Sequence, residues 1–151
     1  MTAFHILQGI ETLHLRMPRH VESTRKVVQF LASNPAVEKV VYPELPGHPD
    51  HALAQKLLPK GCGAVFSFDI KGGRDAGKRF IEALRVFSHL ANVGDAKSLV
   101  IHPASTTHYR MSDEDLKKAG IGAGTVRLSI GLEDPEDLLQ DLGRALKAAQ
   151  R

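Results

Sequence analysis

Arg127 lies in the stretch Thr125-Val126-Arg127-Leu128-Ser129-Ile130-Gly131, followed by Leu132-Glu133-Asp134. An arginine inside an alternating strand that ends at a glycine, just before an acidic helix start, is poorly placed as a solvated surface charge. It is well placed as a bidentate clamp for a carboxylate, because the planar guanidinium presents two parallel N–H donors. Such a residue would hold a small acid. The competing reading is an edge-strand arginine paired with a structural aspartate or glutamate, and spacing alone leaves both open.

Other residue sets have less to offer. His48 and His51 stand three apart, which could put two metal ligands on one helical face, with His89, His102 or His108 as a third. No nearby acid completes a recognisable motif and Pro49 sits inside the pair, so the surface reading is preferred. Cys62, between Gly61 and Gly63, could be a nucleophile, but no base is marked near it, and a small residue filling a tight turn is the simpler account. Gly61-Cys62-Gly63 and Gly72-Gly73 lack the glycine run into a helix start that a phosphate cradle needs. Lys97 follows a Gly-Asp turn; a Schiff-base lysine would need a desolvated pocket, and a solvated turn lysine fits the sequence better.

The elements that must position these residues follow from periodicity. Phe4, Ile6, Leu7, Ile10, Leu13, Met17, Val21, Val27, Val28, Phe30 and Leu31 recur at helical spacing as far as Asn34-Pro35, with a bend or fresh start expected between Leu15 and His20 because of Pro18. Strands are expected at 37–42, 64–70, 98–102 and 125–130, where β-branched or alternating residues run up to Pro or Gly. Helices are expected at 52–58, at 75–84, after the Ser112 cap, and from Pro135 onward, where acids fill the first turn. Short strands between helices indicate an α+β fold, a short-stranded sheet with helices on one face. Residues 1–34 read as a helical segment leading into a domain at 35–151.

Composition narrows the classes. The 151 residues, 42% hydrophobic and 25% charged, suffice for one ordinary core. A formal charge of +3, with bases and acids interspersed and aromatics at 5%, lacks the stacking-plus-phosphate pattern of a nucleic-acid binder. No apolar run approaches membrane-spanning length, and Met1 to His5 carry no basic region ahead of an apolar one, so neither a membrane nor a secretory address is expected. The single cysteine excludes an internal disulfide and points to the cytoplasm.

Leu90-Ala91-Asn92-Val93-Gly94-Asp95-Ala96-Lys97-Ser98-Leu99-Val100-Ile101-His102-Pro103-Ala104-Ser105-Thr106-Thr107-His108, together with Val126 to Asp134, resembles the C-terminal part of the cystathionine γ-synthase-like family of pyridoxal-phosphate enzymes, and within it the O-acetylhomoserine sulfhydrylases. Leu7-Gln8-Gly9-Ile10-Glu11-Thr12-Leu13 and Gly63-Ala64-Val65-Phe66-Ser67-Phe68 resemble that family's interdomain helix and first small-domain strand. The resemblance implies a small C-terminal domain that closes over a cofactor held by a larger N-terminal one, in a homo-oligomer acting on a small amino acid. It implies that Arg127 binds the substrate α-carboxylate. Asn92 falls where the family's lyases usually carry serine, and asparagine is typical of the sulfhydrylases. Ser98, Ser105 and Thr106 are expected to serve packing and turns. The family's cofactor lysine and phosphate-binding residues lie upstream of everything in this sequence, so pyridoxal phosphate is expected in the full-length enzyme, with none bound covalently to this chain and no catalysis by it alone. A domain of a cystathionine γ-synthase or methionine γ-lyase, or a non-catalytic amino-acid-binding or oligomerisation module, is the alternative.

Overall fold

The structure is a computed structural model that describes residues 1–151 apart from the side chain of Asp113. Two helices open the chain, α1 (Thr2–Glu11) and α2 (Leu13–Ala32). There follow β1 (Val37–Val41), α3 (His51–Leu57), β2 (Val65–Ile70), α4 (Gly73–Ala83), β3 (Ser88–His89), β4 (Leu99–Ile101), a 3-10 turn over Pro103–Ser105, α5 (Asp113–Lys118), β5 (Thr125–Ser129) and α6 (Pro135–Ala149). The five strands form one sheet in the order β1-β2-β5-β4-β3, antiparallel except for the parallel pair β3 and β4.

Alternation explains how the sheet is covered. Phe66, Phe68 and Ile70 of β2, Val126 and Leu128 of β5 and Val100 of β4 share one face and join Val27, Val28 and Leu31 of α2, Phe80 of α4 and Leu138, Leu142 and Leu146 of α6 in a single core. Phe68 and Phe80 meet edge to face at 5.6 Å, tying α4 to the middle of the sheet. Each of these large side chains is wholly or almost wholly buried, worth roughly 1.5–3 kcal/mol apiece. The sheet is therefore the small α+β architecture expected, with its helical layer built on the apolar face.

Helix ends follow local chemistry. Asp134 caps α6 by accepting from the Glu136 amide at 2.9 Å, Pro135 supplies a preset φ at the first position, and Glu136 and Asp137 favour the positive end of the helix dipole. Ser112 caps α5 by accepting from the Asp115 amide at 3.2 Å. Asp141, nearly buried on α6, accepts from the Arg85 and Val86 amides and pairs with Arg144, so it fixes the chain between α4 and β3.

The opening helices depart from expectation. The break falls at Thr12, with φ −100° and ψ 2°, and α2 continues through Pro18. Arg16 braces that break, its Nε donating to Thr12 Oγ1 at 3.2 Å and its Nη2 to the Gly9 carbonyl at 2.5 Å. Pro18 removes the N–H that would donate to the His14 carbonyl, but both residues are exposed and water can donate to that carbonyl in its place. α1 has no buried residue, and Phe4, Ile6, Leu7 and Ile10 are each more than half exposed.

Candidate functional site

Arg127 stands in the third of the five strands, with Ser67 of β2 on one side and Ile101 of β4 on the other. It points to the face opposite Val126 and Leu128, the side not filled by the helical core, and is only half-buried. The edge-strand alternative is thus corrected: β5 is interior to the sheet. Among the described residues no carboxylate forms an ion pair with Arg127. Its recorded partner is the main-chain carbonyl of Asn92, which accepts from Nη2 at 3.4 Å.

The structure therefore brings together the two residues singled out in the sequence, 35 positions apart. Asn92 is exposed in the loop after β3, and its Oδ1 accepts from the Val93 amide at 2.8 Å. With the oxygen engaged, the side chain has its NH2 group left to donate. Apart from that main-chain contact the Arg127 guanidinium has no hydrogen-bond partner among the described residues, and a fork with N–H donors to spare suits a carboxylate.

The loop that carries Asn92 is held by a compact network. The Asp95 carboxylate accepts from the Lys97 amide at 3.0 Å, and the Gly94 φ of 74° permits the turn. The Ser98 hydroxyl, fully buried, donates to Glu133 at 2.8 Å and accepts from the Gly131 amide at 2.8 Å, while the Ser98 amide donates to Glu133 at 2.7 Å. Gly131 is required by close approach: a Cβ there would lie 2.5 Å from both the Ala96 carbonyl oxygen and the Lys97 carbonyl carbon.

A second network holds the polar loop at 103–111. The His102 ring is buried; its Nε2 donates to the Ala123 carbonyl and its Nδ1 accepts from Ser105, both at 2.8 Å. Burial pushes its pKa below the ordinary histidine value. Thr106 donates to the His102 carbonyl at 2.9 Å, and Arg74 donates to the carbonyls of Ala104 and Met111. Ser98, Ser105 and Thr106 thus serve turns and packing, as expected.

The remaining sequence candidates lie elsewhere. Cys62 donates its amide to Glu44 at 2.9 Å, and burial pushes its thiol pKa up, away from the thiolate a nucleophile needs. For Glu44 burial alone would raise the pKa, but hydrogen bonds from Arg25, the Cys62 amide and Tyr42 together hold it below the usual carboxylate value. His48 Nδ1 accepts from the Asp50 amide at 3.1 Å, and His51 bonds the Pro43 carbonyl at 3.1 Å and Gln55 at 3.0 Å. Among the described residues no group of three or more His, Cys, Asp or Glu is placed to hold a metal. Lys97 is exposed, as is every other lysine, so none occupies the desolvated pocket that a Schiff base requires. Sequence reasoning missed Glu133 and His102 as supports, since their partners are 35 and 21 residues away; the one local signal was Gly77, an unexplained glycine inside α4.

A family model described as Cys/Met metabolism PLP-dependent enzyme matches residues 1–147. The chain is 51% identical to an O-acetyl-L-homoserine sulfhydrylase of Thermus thermophilus, over 95% of this chain and 34% of that protein. It is 48% identical to an L-methionine gamma-lyase of Pseudomonas deceptionensis, over 95% of this chain and 36% of that one. Among solved structures it superposes with TM-score 0.86 and 43% identity on a putative O-acetylhomoserine (thiol)-lyase of Campylobacter jejuni bearing N'-pyridoxyl-lysine-5'-monophosphate, covering 93% of this chain and 34% of that one. The chain spans about a third of the length of the relatives it matches. No helix among the described residues is long and apolar enough to cross a membrane.

Proposed function

The chain belongs to the Cys/Met metabolism PLP-dependent enzyme family, and on that footing we propose that it is the small, substrate-carboxylate-binding domain of an O-acetylhomoserine sulfhydrylase. The complete enzyme replaces the acetate of O-acetyl-L-homoserine with sulfide to give L-homocysteine. The observation that carries this reading is Arg127 on an interior strand, half-buried, with Asn92 as its neighbour and no protein carboxylate paired to it among the described residues.

Pyridoxal phosphate, the cofactor named for this family, supplies an electron sink when bound. The residues of this chain do not fit the group as its covalent holder, because every lysine is solvated. The cofactor is therefore assigned to the rest of a longer enzyme, and this chain's contribution is substrate binding. Arg127 donates two parallel N–H groups to the α-carboxylate, and Asn92 adds an amide donor from the facing loop. Orientation of that kind raises the effective concentration of the reacting groups. The apolar stripe of α1, at Phe4, Ile6, Leu7 and Ile10, is the surface that a large N-terminal cofactor domain would cover, with 1–34 as the segment between the two. The assembly is a cytoplasmic homo-oligomer with neither nucleic acid nor membrane as a partner.

A methionine γ-lyase is the second reading, favoured by a relative of that name at 48% identity. Asn92, where the lyases usually carry serine, supports the sulfhydrylase. The full-length protein containing this chain, loaded with pyridoxal phosphate, distinguishes them. Sulfide-dependent release of acetate from O-acetyl-L-homoserine, with little 2-oxobutyrate from L-methionine, is expected. Efficient methionine cleavage without sulfide-dependent replacement would overturn the assignment, and absence of both would leave a non-catalytic amino-acid-binding or oligomerisation module.

A further inference from the structure

We propose that Glu133 is a positioning residue for substrate: its carboxylate locks the Asn92 loop onto the end of the strand that carries Arg127 and so sets the spacing of the two carboxylate-binding groups. The proposal rests on the reading of Arg127 and Asn92 given above. Glu133 is not needed to cap α6, a role filled by Asp134 one residue later. Instead both its oxygens face Ser98, accepting from the amide at 2.7 Å and the hydroxyl at 2.8 Å.

The Ser98 hydroxyl passes the restraint on, because it accepts from the Gly131 amide at 2.8 Å. The Leu132 amide donates to the Ala96 carbonyl at 2.8 Å, adding a second tie between the same two segments. Two β4–β5 pairs lie next to this lock, Leu99 with Ser129 and Ile101 with Arg127. The chain between Asn92 and Ser98 is therefore anchored at its C-terminal end by one carboxylate and a buried hydroxyl. Among the described residues its other end meets Arg127 through the 3.4 Å bond to the Asn92 carbonyl. A contact that long cannot by itself hold the loop in register; the Glu133–Ser98 lock does so together with the Leu132–Ala96 bond and the Asp95–Lys97 turn.

Gly131 belongs to the same device. A Cβ there would meet Glu133 and the main chain of Ala96 and Lys97, forcing the two segments apart. Glu133→Gln keeps the shape of the side chain while removing the charge and one acceptor, and Ser98→Ala removes the hydroxyl from the other side.

The test uses the full-length holoenzyme and two small probes, L-2-aminobutyrate, which has the α-carboxylate, and n-propylamine, which lacks it. Glu133→Gln should weaken L-2-aminobutyrate by about tenfold in equilibrium titration, the size expected for a charge-assisted hydrogen bond, and leave n-propylamine unchanged. In an Arg127→Ala background the same substitution should have no further effect, since the spacing it sets no longer matters. Ser98→Ala should reproduce the pattern, which guards against a folding defect particular to one variant. Equal weakening of both probes, unchanged aminobutyrate affinity, or effects additive with Arg127→Ala would overturn the positioning role. If Arg127→Ala alone leaves aminobutyrate binding intact, the carboxylate reading itself fails and the lock proposal falls with it; an intact Arg127 effect with a silent Glu133→Gln rejects the lock alone.

Discussion

Two glycines inside helices give opposite expectations for the same substitution. Gly77 sits within α4, where a Cβ would lie 2.6–2.7 Å from the Cδ2 and Cε1 atoms of the His102 ring. Gly143 sits within α6, where a Cβ would meet only the Phe30 ring at 3.4 Å, an ordinary contact. Alanine gains about 0.8–1 kcal/mol of helix propensity at either site. At Gly77 the His102 ring must then move by roughly an ångström, which stretches its bond to the Ala123 carbonyl and disturbs the buried pairing with Ser105. Overpacking costs about 1–3 kcal/mol, and a buried polar pair left unmade costs about 1–3 more. The net is a loss of roughly 1–5 kcal/mol, or about 2–20 °C in Tm for a domain of this size. Gly143→Ala should be neutral or stabilising by up to about 1 kcal/mol. Thermal unfolding of both variants beside the parent protein is the assay. A Gly77→Ala Tm equal to or above the parent's, or a Gly143→Ala loss of similar size, would refute the claim that His102 fills the space a Cβ needs.

Three further outcomes are expected. The 151-residue chain alone should self-associate or be sparingly soluble through the apolar face of α1; sedimentation should show mass rising with concentration, and Phe4→Ser with Ile10→Ser should reverse it, whereas a strict monomer at high concentration counts against an uncovered docking face. Mixed with pyridoxal phosphate, this chain should form no site-specific Schiff base, because its lysines are solvated; a stable absorbance mapping to one residue such as Lys97 would contradict that. Stability should fall on acidification in two limbs. His102 titrates below its usual 6.5 when folded, so the unfolded chain takes up the proton first and stability is lost as pH drops below about 6.5. Glu44, held below 4.5, contributes stability that is complete above that pH and lost as pH falls through its folded value. A Tm profile from pH 8 to 3 should lose its first limb in His102→Gln and its second in Glu44→Gln; variants that keep both slopes would sink the assignments.

Much of the architecture was legible where a local pattern decides the outcome. Alternation at Phe66, Phe68 and Ile70, and at Val126 and Leu128, set strand and face together, because a residue shift would turn the apolar set outward. The Asp134–Pro135 and Ser112 starts were equally local, each cap lying within three residues of its target. What could not be read depends on distant partners. Pro18 looked like the breakpoint, yet α2 continues through it and the break falls at Thr12, braced by Arg16. The parallel pairing of β3 with β4 depends on a neighbour eleven residues on, for which a two-residue strand carries no periodicity. In the site, Arg127 stood out because its charge violates strand patterning, and Asn92 because of family resemblance. Glu133 was hidden because an acid before a helix reads as an ordinary helix-start residue. Gly131 read as a strand terminator, while its actual constraint is the main chain of Ala96 and Lys97 folding back against it.

The central claim, that Arg127 is the substrate-carboxylate clamp, is tested most directly by Arg127→Lys in the full-length enzyme, with steady-state kinetics on O-acetyl-L-homoserine measured beside thermal unfolding. Lysine keeps the charge but offers a point donor in place of the fork. Loss of a bidentate charge-assisted contact should cost about 2–4 kcal/mol, a fall in kcat/KM of roughly 30- to 1000-fold. Tm should stay nearly constant, since Arg127 is partly solvated and has no protein carboxylate paired to it among the described residues. Unchanged kcat/KM, or a loss fully accounted for by unfolding, would contradict the clamp and return Arg127 to a structural role.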